Sequence, residues 1–301
     1  MLEYIYQATG LLLLAFAVQT FLDKDNPKRI GSGLFWLIYG MTFILGKVVP
    51  NWLIGAMVLI LTVLAAGGFM GQGNYGTTTD KERKEKASLL KNKLFIPALI
   101  VPLGTILISQ FTKLGVLVGL GLSSVVSIII ALLITKGKTV QSLHEGRRLL
   151  DSIGWAAILS QFLAALGYLF NQAGVGDTVA GIVKMMIPEN ILLIKVIAYC
   201  VGMMLFTIVM GNAFAAFAVM TTGIGIPLLV IENGGNPAII GVLGMLSGYC
   251  GTLMTPMAAN FNIVPAALLE LKNKHHVISM QVIPGFILLI FNILIMYRFA
   301  F

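Results

Sequence analysis

The sequence predicts an all-α, polytopic membrane protein, and three observations lead there. The 301 residues are 58% hydrophobic and only 11% charged, with mean hydropathy +0.94, more apolar surface than a soluble domain of this size can use. Several runs exceed the roughly 18 apolar residues that mark a membrane-spanning helix. The basic residues gather between those runs, where they carry topology information. An outer-membrane barrel would need alternating segments of about ten residues, and the sequence has none.

The opening stretch, "MLEYIYQATGLLLLAFAVQTFLDK", lacks a basic n-region and a small-residue cleavage site. It reads as a first membrane helix over 2–22, not a cleaved signal. Apolar runs follow at 31–49, 52–71, 94–111 and 114–135. "GVLVGLGLSS" at 115–124 has small residues at the spacing of helix–helix contact. Then come a broken stretch at 152–188, a long one at 190–231, and runs at 238–271 and 280–297. Counted with their breaks, these give roughly eight to ten membrane segments, including a re-entrant hairpin and broken helices in the C-terminal half. Residues 1–135 read as a scaffold of membrane helices and 136–301 as a transport region.

Fifteen of the twenty Lys and Arg residues fall in four loops. They are Lys24, Lys28 and Arg29; Lys81, Arg83, Lys84, Lys86, Lys91 and Lys93; Lys136, Lys138, Arg147 and Arg148; and Lys272 and Lys274. If the segments alternate, all four loops share one side. That side is the cytoplasm, and the N-terminus is outside. The net charge of +8 is thereby assigned to topology, and nucleic acid is not expected as a partner.

The middle of the chain admits two readings. After "LFNQAGVGDT" (169–178) the arm 179–187 is too short to cross about 30 Å of hydrocarbon. Either 152–188 is a re-entrant hairpin and 190–231 crosses once as a long broken helix, or 190–231 is two spans that meet near Gly211. Both readings deliver residue 232 to the outside.

Three polar interruptions stand in this half. The first holds Asn171, Gln172 and Asp177; the second, "MGNAFAAFAVMTTGIGIP", opens with Gly211 and Asn212; the third is "SGYCGTLMTPMAANFN" at 247–262. Non-helical backbone survives at membrane depth where it is buried in protein or lines a hydrated cavity. In discontinuous helices, half-helix N-termini suit an anion, and freed carbonyls with Asn, Ser and Thr oxygens suit a cation. The candidate substrate- or ion-binding residues are therefore Gly211, Asn212, Gly251, Thr252, Thr255, Asn260, Asn262, Asn171 and Asp177. Thr252 and Thr255 would share a face if the helix persists there. Asn260 and Asn262, two apart, suit an extended or turning segment.

Of the twelve carboxylates, Asp177 alone lies inside an interrupted segment, and His144, His275 and His276 lie in basic loops. A proton relay needs an intramembrane acid or His, so Na⁺ held by neutral oxygens, or no coupling ion at all, is favoured, with H⁺ through Asp177 as the alternative. No metal-ligand spacing, nucleophile set or phosphate loop occurs, so neither enzyme chemistry nor a cofactor is expected. Cys200 and Cys250 read as buried thiols, and Met203, Met204, Met210 and Met220 as core filling.

At "GNAFAAFAVMTTGIGIP" and "GMLSGYCGTLMTPMAANFNIVPAALLEL" the chain resembles the larger subunit of the two-subunit bacterial 5-oxoproline (pyroglutamate) transporters. That group was long catalogued as a family of unknown function and is related at a distance to the ion-transporter superfamily. The resemblance runs over nearly the whole chain. It implies secondary uptake of 5-oxoproline across the bacterial cytoplasmic membrane with a second, smaller membrane subunit. Other small carboxylates or dicarboxylates, and a non-transporting accessory role, are the alternatives. Superfamily carriers have two inverted repeats, and this chain has one convincing set of interruptions. The other half-site then comes from the smaller subunit or from a second copy in a homodimer.

Overall fold

The computed structural model describes residues 1–73, 75, 80–137, 139–175, 178, 181 and 191–301, and every regular element among them is helical. Six of these helices are long and apolar enough to cross a membrane: Leu2–Leu22, Lys84–Phe111, Val116–Thr135, Leu192–Met210, Ala213–Ile231 and His276–Phe299. The chain is an all-α, membrane-embedded protein. It divides into two compact units, Met1–Gly154 and Trp155–Phe301.

The first unit contains α1 (Leu2–Leu22), α2 (Arg29–Leu45), α3 (Asn51–Ala66), α4 (Asp80–Leu90), α5 (Phe95–Phe111), α6 (Val116–Thr135) and α7 (Thr139–Ile153). A 3₁₀ turn over Lys91–Leu94 joins α4 to α5. Burying apolar surface drives little association inside a bilayer, so helices pair where small residues let backbones approach. Gly10 of α1 faces Gly40 of α2 so closely that a Cβ at either would lie within 2.9 Å of the other's carbonyl oxygen. In the α5–α6 pair a Cβ on Gly119 would lie 3.1 Å from the Thr105 carbonyl, and Ser127 Oγ donates to the Pro97 carbonyl at 2.7 Å. Gly119, Gly121 and Ser123 of 115–124 are thus packing residues, as their spacing implies, while Gly115 faces open space.

Near α7 the structure departs from a simple solvated loop. Arg147 and Asp151, one turn apart on α7 and so on one face, are both 7% exposed. Arg147 pairs with Asp23, donates to the Gln19 carbonyl at 2.8 Å, and donates to the Tyr75 hydroxyl at 3.1 Å. Asp151 accepts from the Trp36 indole at 2.8 Å and from the Tyr75 hydroxyl. Burial first, and then the Asp151 carboxylate beside it, hold the Tyr75 phenol well above its ordinary pKa, so it remains a donor.

The second unit contains α8 (Ala156–Gln172), α9 (Leu192–Met210), α10 (Ala213–Met220), α11 (Pro237–Thr252), α12 (Ala259–Leu268) and α13 (His276–Phe299). α10 runs on as a π-helix over Thr221–Ile231. Pro227 lacks an N–H and would clash with the carbonyl four residues back in an α-turn; the wider π-turn relieves this, and Glu232 N–H reaches back to the Pro227 carbonyl at 3.1 Å. Between 190 and 231 the structure selects the second of the two readings. α9 and α10 are antiparallel, turning at Gly211: Lys195 pairs with Glu232, and Tyr199 OH lies 2.8 Å from Thr221 Oγ1. Of the re-entrant hairpin expected over 152–188, the described residues comprise the end of α7, α8 and the turn after it, whereas all but one residue of the return arm 179–187 lies outside them.

The core of this unit is built from Tyr199, Ile224, Leu229 and Ile240 with Met203, Met204, Met210, Met220 and Met296. Cys200 and Cys250 are free and buried. The methionines therefore fill the core, and the cysteines are buried thiols, as read from the sequence.

Candidate functional site

The second and third interruptions meet in the second unit. Gly211 ends α9 in the left-handed region, φ +66, which glycine adopts without steric cost. Its close approach also requires glycine. A Cβ there would lie 2.7 Å from the backbone C and O of Met257, in the middle of the third break. Asn212 then caps α10, its Oδ1 accepting from Phe214 N–H at 2.9 Å.

The third break begins where α11 stops at Thr252 and ends where α12 starts at Ala259. Two of its freed carbonyls are satisfied by a side chain, as a buried backbone demands. Asn262 Nδ2 donates to the carbonyls of Thr252 and Thr255, both at 2.7 Å. Thr255 Oγ1 donates to the Ile208 carbonyl of α9 at 2.8 Å and accepts from Met257 N–H at 3.2 Å. Asn262 is completely buried, and its Oδ1 has no partner.

Between the breaks lies a cavity of about 240 Å³ lined by Leu163, Gly211, Asn212, Ala213, Phe214, Tyr249, Thr252, Met257, Ala258, Ala259, Asn260 and Phe261. The first turns of two helices, α10 and α12, open onto it. These turns carry the positive ends of the helix dipoles, although Phe214 N–H is capped by Asn212 and Phe261 N–H bonds to the Ala258 carbonyl at 3.0 Å. α12 has no side-chain cap of its own. No ionised side chain stands in the wall. The break packs against α13: a Cβ on Gly285 would lie 2.8 Å from Met254 and 3.5 Å from the Cys250 carbonyl. Gly285 is nine residues into α13 from His276, about 14 Å along the helix at 1.5 Å per residue.

Four of the residues picked out by sequence share this wall: Gly211, Asn212, Thr252 and Asn260. Three stand behind it. Gly251 is a packing glycine, since a Cβ there would lie 2.4 Å from the Met204 carbonyl. Thr255 and Asn262 hold the broken backbone by the bonds just described. Two sequence expectations are corrected. The helix does not persist from Thr252 to Thr255, and Thr252 Oγ1 bonds back to Tyr249 at 2.6 Å. Asn260 and Asn262 lie on a helix rather than an extended segment. Two positions on a helix are about 200° apart, so Asn260 reaches the cavity while Asn262 points to the backbone of the break. Asn171 lies in the last turn of α8, but its side chain is outside the described residues, as is Asp177 altogether.

Sequence reasoning missed Leu163, Phe214 and Tyr249. Phe214 and Tyr249 meet edge to face at 6.2 Å and give the cavity an aromatic side. Tyr249 precedes Thr252 by three, a helical spacing that would have placed both on one face; nothing local pointed to Leu163 on α8.

A family model described as "Protein of unknown function (DUF979)" matches residues 3–301. No curated protein and no solved structure matches the chain.

Proposed function

We propose that this chain, which belongs to the DUF979 family, is a subunit of a secondary transporter that binds a small carboxylate in the cavity between Asn212 and Asn260. The observation that carries this reading is the convergence of two helix N-termini, those of α10 and α12, on one cavity. Helix N-termini favour an anion, and interrupted helices are how carriers place such ends at their substrates. The amides of Asn212 and Asn260 can both donate and accept, which suits a lactam beside a carboxylate. By its resemblance the substrate is 5-oxoproline; another small carboxylate or dicarboxylate would use the same groups.

With no charged side chain in the wall, a co-bound cation offsets the substrate charge, and we propose Na⁺, with H⁺ as the alternative. The chain acts as a carrier, not an enzyme. It sits in the bacterial cytoplasmic membrane with its N-terminus outside and its basic loops in the cytoplasm. One set of breaks makes half of an inverted-repeat site, so a second, smaller membrane subunit, or a second copy of this chain, completes it.

The test is uptake of labelled 5-oxoproline into proteoliposomes. The chain is reconstituted alone and with a candidate smaller membrane subunit, with and without a Na⁺ gradient. Uptake is expected only with both subunits and to be competed by unlabelled 5-oxoproline. Full uptake by the chain as a monomer would overturn the half-site reading. Absence of uptake of every small carboxylate tried, from a folded two-subunit complex, would favour the accessory role.

A further inference from the structure

A second cavity, in the first unit, lies well away in sequence from the breaks. It has about 380 Å³ and lies at the start of α2 and the end of α3. Its polar side is Lys28 and Arg29; its apolar side is Ile30, Leu34, Leu64 and Phe69. We propose that this junction binds the phosphate headgroup of an anionic phospholipid. The inference does not depend on the transport reading.

The charge balance supports an anion. Lys24, Lys28 and Arg29 stand within six residues. Of the two acids nearby, Asp23 is committed to Arg147, leaving Asp25 against three cations. Lys28 Nζ donates to the Gly68 carbonyl at 2.7 Å. That bond holds the ammonium at the junction and uses one of its three donors. Arg29 offers the planar fork that matches phosphate. Both cations lie in the first of the four basic loops, and basic pockets between membrane helices on that side recognise phospholipid headgroups.

The apolar wall selects a lipid over a free anion. Ile30 is 65% exposed and Phe69 54% exposed, directly beside the two cations. A free phosphate leaves that surface uncovered, whereas a phospholipid lays its glycerol and first acyl carbons against it while its phosphate meets Arg29.

The test is native mass spectrometry of the full chain in detergent, titrated in parallel with phosphatidylglycerol and phosphatidylcholine. Phosphatidylglycerol is expected to bind preferentially. Arg29→Gln should weaken it about fivefold, the effect of about 1 kcal/mol that one interfacial cation contributes. Arg29→Lys, which keeps the charge and loses the fork, should weaken it less than Arg29→Gln, and Lys272→Gln, in a different basic loop, should leave it unchanged. Equal binding of the two lipids, or parental affinity in Arg29→Gln, overturns the proposal. Complete displacement by millimolar inorganic phosphate would show a bare anion site and overturn the lipid assignment.

Discussion

The Asn262 side-chain nitrogen donates to the backbone carbonyls of both Thr252 and Thr255, each at 2.7 Å. One buried amide thus bridges two backbone carbonyls of a non-helical segment. The binding residues and the supporting residues of the third break are therefore different residues, and mutation should separate them.

Asn262→Ala should leave two buried carbonyls without donors. Each unsatisfied group costs roughly 1–3 kcal/mol, so folded yield and thermal stability should fall clearly. Uptake normalised to folded complex should stay near the parental value. Size-exclusion yield, a melting curve and normalised uptake check this together; a stable variant with lost uptake would move Asn262 into the site.

Asn260→Ala should do the reverse. Its side chain lies at the cavity wall, so normalised uptake is expected to fall about tenfold or more, the effect of losing about 1.4 kcal/mol or more of substrate binding, with yield unchanged. At Asn212 the informative change is Asn212→Ser, which keeps an N-cap oxygen and removes the amide. Unchanged normalised uptake in both variants would remove this cavity as the binding site.

Gly211→Ala should fail for two reasons that add. The left-handed conformation costs a residue with a Cβ roughly 1–2 kcal/mol, and the new carbon would meet the Met257 backbone at 2.7 Å. A loss of folded complex larger than the conformational term alone is expected in thermal unfolding. Near-parental stability would mean that the two breaks do not touch.

Lys195 is 2% exposed and pairs with the half-exposed Glu232. Glu232→Gln leaves a buried ammonium without its counter-charge, whereas Lys195→Met removes the charge and leaves a carboxylate able to reach solvent. Glu232→Gln should therefore be the more destabilising, though by less than the roughly 3–5 kcal/mol for a fully buried pair. Melting temperatures of the two variants decide the order.

For the proposed orientation, a cysteine introduced at Lys84 should be inaccessible to a membrane-impermeant reagent applied to intact cells and accessible after permeabilisation. Labelling in intact cells would reverse the topology.

Much of the fold was legible because each spanning helix carries its signal locally, as an apolar run of sufficient length. Apolar length could not tell whether 190–231 crosses once or turns back. That depended on contacts such as Lys195 with Glu232, 37 residues apart. Arg147 and Asp151 read as loop charges because their partners, Asp23 and Trp36, are more than a hundred residues away.

The sequence by itself determined the membrane class, the basic loops and the presence of interruptions at Gly211–Asn212 and within 247–262, since hydropathy, charge and the backbone habits of Gly, Asn and Pro are local properties. Only the tertiary structure decided that the breaks touch, that Asn212 and Asn260 face one cavity, and that Thr255 and Asn262 support it from behind. The physical reason is that every polar side chain near a broken helix can serve either a ligand or an orphaned carbonyl. Which it serves is set by the helix face it occupies and by what packs against that face.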